Sequence, residues 1–147
     1  MDKLRISKKI LFLFFIIGFF IYVYRGVLVS ISNGSKHGIT NIVLMHTNQI
    51  VNMENIKQYR AIDMRIRPRR ETSIKLKYKI ENVGCFRVDL DVYISNSMVG
   101  ELDIIILDNG NIDYRDRMYL TFFNSFRFLT SWRHKIVKSE KIACRML

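Results

Sequence analysis

Three runs in the middle of the chain place an apolar residue at every second position. Ile62, Met64 and Ile66 alternate with Asp63, Arg65 and Arg67, and Ile74, Leu76, Tyr78 and Ile80 alternate with Lys75, Lys77 and Lys79. In the third run Phe86, Val88, Leu90, Val92 and Ile94 alternate with Arg87, Asp89, Asp91 and Tyr93. A helix would return its apolar stripe every three or four residues, so a period of two predicts strands with one dry face and one wet face. The intervals between the runs are turn-like: Pro68 to Thr72, Glu81 to Gly84 and Ser95 to Gly100. Leu102 to Leu107 is apolar at nearly every position and suits a central strand, after which Asp108-Asn109-Gly110-Asn111 makes a turn. Ile39 to Met45 and Gln49 to Ile56 predict two further strands.

Near the C-terminus two patterns compete. Tyr119, Phe122, Phe123, Phe126 and Leu129 fit a helical stripe, whereas YLTFF, FRFLT and KIVK have the β-propensity of closing strands. The strand reading is adopted. The expected fold is all-β, an antiparallel β-sandwich or partly open barrel over residues 39–147.

Parity restricts the hairpin around Gly84, because its apolar even positions must share a face. A five-residue loop over 81–85 puts Lys77 opposite Asp89 and Lys75 opposite Asp91, two complementary pairs. A three-residue loop puts Lys75 opposite Asp89 but Lys77 opposite Arg87. Charge pairing favours the longer loop.

The period changes at the N-terminus. Residues 1–9 carry Lys3, Arg5, Lys8 and Lys9 against Asp2, and Ile10 to Tyr24 is an apolar run with Phe and Ile on every face. Fifteen helical residues reach only about 22 Å against a hydrocarbon core of roughly 30 Å. Snorkelling of Arg25 and the apolar GVLVSI that follows extend the candidate transmembrane helix to residues 10–31, with Tyr22 and Tyr24 at the interface. The surplus of basic residues before the run predicts an N-terminus inside and a domain outside. A cleaved signal peptide, with Ser30-Ile31-Ser32 as a small-x-small site, and a buried core helix are the competing readings. Residues 32–38 (SNGSKHG) read as a linker to the exported domain.

Charge is divided along the chain. The 147 residues carry a net +11, yet Lys57 to Lys79 holds +7, Glu81 to Asp116 holds −6 and Arg117 to Leu147 holds +6. Much of this patterning suits solvated strand faces paired across hairpins. The basic cluster Arg65, Arg67, Arg69 and Arg70 around Pro68 is the candidate partner-binding surface, toward an acidic protein surface, anionic lipid or an envelope polymer. Nucleic acid is disfavoured, since the aromatic residues mostly occupy inward positions rather than a stacking platform beside the arginines.

A search for chemistry yields no catalytic, cofactor-binding or metal-ligating residue set. His37, His46 and His134 are scattered, with no His-x-x-x-His or Cys-x-x-Cys spacing, no nucleophile elbow and no phosphate-cradling glycine loop. Asp89 and Asp91 share a wet face beside lysines, a setting for ion pairs rather than for a general acid, and Asp103 and Asp108 form no better acid–base pair. Cys85 and Cys144 can close a long loop in an oxidising compartment or remain two separate thiols. The expectation is a non-enzymatic, membrane-anchored envelope protein, inner-membrane and single-pass, whose exported module occupies a partner protein. A structural subunit of an envelope or secretion machine and an exported effector are the alternatives. The layout of basic start, apolar run, polar linker and compact β domain resembles that of small bacterial envelope proteins, including membrane-anchored immunity proteins.

Overall fold

A computed structural model of the chain describes residues 8–23, 26–47, 49–96, 98–120 and 131–146. The helix α1 (Lys8–Val23) precedes ten strands: β1 (Val27–Asn33), β2 (Ile39–His46), β3 (Gln49–Met53), β4 (Ala61–Ile66), β5 (Thr72–Ile80), β6 (Gly84–Ile94), β7 (Met98–Ile106), β8 (Ile112–Leu120), β9 (Ser131–Val137) and β10 (Glu140–Ile142). A 3₁₀ turn, Cys144–Met146, follows. The strands form two five-stranded sheets, ordered β4-β1-β7-β8-β9 and β10-β6-β5-β2-β3. Their inward faces meet in one core that contains Ile31, Leu44, Leu76, Leu90 and Ile104, all without solvent exposure. Each such side chain contributes roughly 1.5–3 kcal/mol relative to its exposed state. The β-sandwich expectation holds, with one amendment. The second sheet is antiparallel throughout, but β1 runs parallel to β7 in the first.

Residues 10–31 are not one helix. α1 has 16 residues, about 24 Å of rise, and among the described residues no helix is long and apolar enough to cross a membrane. Val27, Val29 and Ile31 instead lie fully buried in β1, between β4 and β7. Their period of two, against Leu28, Ser30 and Ser32, is the mark of a half-buried strand. The sandwich therefore begins at Val27 rather than at residue 39.

The expected linker over 32–38 is an ordered crossover between sheets. Buried Asn33 donates through Nδ2 to the carbonyls of His37 (2.8 Å) and Ile56 (3.1 Å), while its Oδ1 accepts from the Ser35 N–H at 2.8 Å. The Lys36 N–H donates to Asp108 Oδ1 at 2.6 Å, which joins this crossover to the β7–β8 turn.

The β5–β6 hairpin adopts the three-residue loop, with Ile80 opposite Gly84 and Lys75 opposite Asp89. Asn82 takes the left-handed conformation (φ 62°) that a short loop requires and that Asn tolerates. Lys75 Nζ lies 3.0 Å from Asp89, while Asp91 pairs with Lys135 of β9, also at 3.0 Å. Lys77 does face Arg87, but Glu140 of β10 occupies the position on the other side of Arg87. The longer loop fails because it counts only β5–β6 pairs, and the third strand changes the sum.

Strand β8 breaks the alternation at Asp116, which points inward and is 4% exposed beside Leu102. Its Oδ1 accepts from the Arg133 N–H of β9 at 2.7 Å, so the buried oxygen is satisfied by backbone. KIVK overlaps the end of β9, as expected, whereas FRFLT and most of YLTFF fall in 121–130, outside the described residues.

Candidate functional site

The arginines gather at one end of the sandwich. β1 starts there with Val27 opposite Ile66, β4 ends there, and a loop over residues 67–71 carries the chain into β5 of the other sheet. Pro68 is buried within the loop, while Arg69 and Arg70 are exposed. Pro lacks an N–H, so it ends the β4 ladder without stranding a donor and fixes the exit of the loop. Arg65 points outward from β4, the edge strand, opposite Leu28. Arg67 is exposed at the start of the loop. The structure thus places Arg67, Arg69 and Arg70 on one short connection and Arg65 on the adjoining edge.

The apolar helix reaches the sandwich at this same end. Gly26, three residues after the end of α1, has φ +69°, and a Cβ built there would lie 2.6 Å from the Ile66 carbonyl and 3.2 Å from Arg67 Cβ. Only glycine fits that approach without strain. On α1 itself the apolar side chains are open to solvent: Leu11 65%, Phe12 65%, Phe14 67% and Phe15 71%. Tyr93, at the end of β6, adds a ring 64% exposed opposite Ser73 near the start of β5. The β5–β6 pairing within one sheet brings it beside the end of the arginine loop. Both its outward parity and its place beside the arginine loop were readable in the sequence, since any β5–β6 hairpin returns the end of β6 to the start of β5.

The other polar groups do not converge on a reaction centre. Asp89 and Asp91 pair with lysines, Asp108 caps the crossover, and Asp103 lies on the outer face of β7 opposite Arg115. His134 Nε2 sits 2.6 Å from Asp113 across β8 and β9, while His46 is buried in β2, where desolvation lowers its pKa below 6.5. Among the described residues no three metal-ligating side chains group together.

Cys85 and Cys144 form a disulfide with Cα atoms 5.3 Å apart across 59 residues of sequence. It fastens the chain after β10 to the start of β6, at the end remote from the arginines. Comparison with protein-family models, with curated proteins and with solved structures finds no match to this chain.

Proposed function

We propose that this chain is a membrane-attached binding module of the cell envelope, in which α1 embeds in the bilayer and the sandwich occupies part of a partner protein. The observation that carries the reading is α1: an apolar helix, exposed from Ile10 to Phe15, joined by a short connection to a well-packed domain. Exposed apolar surface of that extent calls for a nonaqueous partner. Ile and Phe on every face favour immersion over an interfacial position, which requires a polar stripe. The disulfide suits an oxidising compartment outside the cytoplasm.

The finer reading has the N-terminal basic residues inside and the sandwich outside. A helix of about 24 Å crosses a 30 Å core only with local thinning and with flanking cations that snorkel, for which the sequence offers Lys8, Lys9 and Arg25, the last outside the described residues. Action by occupancy needs no reactive group: the bilayer raises the local concentration of a preformed β surface near its target.

Carbonate extraction of membranes containing the full chain tests the attachment. The protein is expected to pellet with the vesicles, and Phe12→Lys/Phe15→Lys is expected to release it, since each charge costs about 2.5–3.5 kcal/mol near the centre of the hydrocarbon. A wild-type chain washed free at alkaline pH refutes the proposal. Crosslinking of the embedded protein to one recurrent envelope protein supports the occupancy part, and recovery of a whole machine favours the assembly alternative.

A further inference from the structure

We infer that Arg69 and Arg70, flanked by Arg65 and Tyr93, contact the anionic phospholipid headgroups of the bilayer that holds α1. The sandwich then stands with its arginine-bearing end on the membrane, leaving the Asn33 and Gly110 end for a partner. This rests on the attachment proposed above and assigns a second contact beyond the helix. Of the three targets expected for these arginines, an acidic protein surface, anionic lipid and an envelope polymer, it selects the lipid.

The first argument is distance along the chain. Three residue steps separate Val23 from Gly26, no more than about 11 Å. Gly26 in turn packs against the Ile66 carbonyl and Arg67 Cβ, where the arginine loop begins. The headgroup layer is roughly 5–7 Å deep on each side of the bilayer, and charge is felt for about 8–10 Å beyond it in physiological salt. With α1 in hydrocarbon, the 67–71 loop has little room to lie outside that layer.

The second argument is chemical. Guanidinium groups donate in a planar fork that matches phosphate oxygens, and they shed water more readily than ammonium groups. Arg69 and Arg70 are exposed in a loop whose only acidic residue is Glu71. The far end carries cations as well, among them Lys36, Lys57, Arg60, Lys79, Lys138 and Lys141 against Glu54, Glu81, Asp108 and Glu140, but no connection there sets two arginines side by side, and none adjoins the exit of α1. Tyr93 adds an exposed phenol opposite Ser73 at the same end, and a ring of that amphipathic character suits the membrane–water interface.

Hydrogen–deuterium exchange on the full chain in lipid nanodiscs tests the assignment. Each arginine near an anionic surface should favour the headgroup-facing orientation about fivefold. Amide exchange at residues 69–71 is therefore expected to slow more than about tenfold in discs containing phosphatidylglycerol relative to pure phosphatidylcholine. The protection should vanish in 0.5 M salt, where the screening length falls to about 4 Å, and in Arg69→Gln/Arg70→Gln. Equal exchange in both disc types, with the chain embedded in each, overturns the headgroup contact and leaves the attachment standing. Protection that survives Arg69→Gln/Arg70→Gln also overturns it, and protection produced only by added polyglutamate reassigns the loop to an acidic protein surface. A chain that enters neither disc refutes attachment and headgroup contact together.

Discussion

The two ends of the sandwich treat their polar groups in opposite ways. At the end remote from α1, the buried Asn33 side chain satisfies three backbone groups, and Tyr78 reaches from β5 to the carbonyl of Gly110 and to Ser139 Oγ at 2.8 Å. These contacts join the β7–β8 turn and the β9–β10 crossover to the other sheet, while Tyr78 and Phe86 stack at 5.7 Å. Gly110, with φ +79°, passes so close to Phe86 that an added Cβ would lie 2.3 Å from its ring. At the helix-side end, Arg69 and Arg70 face solvent, and buried His46 leaves Nδ1 without a hydrogen-bond partner among the described residues. The far end uses buried polar groups to join the two sheets; the helix-side end presents two adjacent guanidinium groups to solvent on the connection between them. A module that meets a surface through one end gains from rigidity at the opposite end, since strands fixed there hold the contacting loop in place.

The far-end disulfide offers the strongest test of this division. Closing a 59-residue separation removes loop entropy worth about 4 kcal/mol from the unfolded chain. Cys85→Ser/Cys144→Ser is expected to lose about that much in urea unfolding. A loss below about 1 kcal/mol would mean that Tyr78, Asn33 and the core already fix the far end, and that the tail beyond β10 is a dispensable strap.

Tyr78 and His46 make the ends respond oppositely to pH. Burial pushes the Tyr78 phenol up to about 12, with the hydrogen bond to Ser139 acting the other way. The unfolded phenol ionises near 10, so its stabilising contribution is complete below pH 10 and is lost as pH rises toward 12, on the order of 3 kcal/mol in all. Tyr78→Phe should remove that alkaline loss and cost about 1–3 kcal/mol at pH 7, because the Gly110 carbonyl loses its buried donor. At the other end, burial lowers the His46 pKa from 6.5, so the folded state resists a proton that the unfolded chain accepts. Stability from neutral His46 is full above pH 6.5 and falls as acid is added, at no more than about 1.4 kcal/mol per pH unit for one proton. Urea midpoints between pH 5 and 8 for the wild type and His46→Leu should diverge on the acid side. Parallel curves would place a hydrogen-bond acceptor or a water at Nδ1.

Much of the sandwich was legible from parity alone. β5, β6 and the inner half of β4 follow their alternation, and the near-continuous apolar run of β7 does mark the central strand of its sheet. Three strands, β1, β8 and the three-residue β10, had no counterpart in the sequence pattern, and the first two were hidden for different reasons. β1 follows the helix so closely that Val27, Val29 and Ile31 extended an apolar run, although their own period was two. β8 carries Asp116 at an inward position, and only the backbone of β9 explains how that carboxylate is accommodated. The β5–β6 register was misjudged because Lys135 and Glu140, which rebalance Asp91 and Arg87, come from distant strands. The arginine cluster was visible as RIRPRR, but its place beside the helix depended on Gly26 packing against Ile66 and Arg67, a long-range fact that no local pattern contains.

The smallest expected effect is the most discriminating for the helix-side end. Arg69→Gln and Arg70→Gln replace exposed loop cations with polar residues of similar length, and exposed charges contribute little to folding once water and salt screen them. Each substitution should therefore shift unfolding in urea by less than about 0.5 kcal/mol. If the loop serves contact rather than folding, it can lose its charges without cost to the fold. If either variant instead lost 2 kcal/mol, the guanidinium would be bracing the β4–β5 connection, and the helix-side end would be a second structural clamp like the one built around Tyr78. The opposition between a rigid end and a contacting end would then disappear, even if α1 remained in the bilayer.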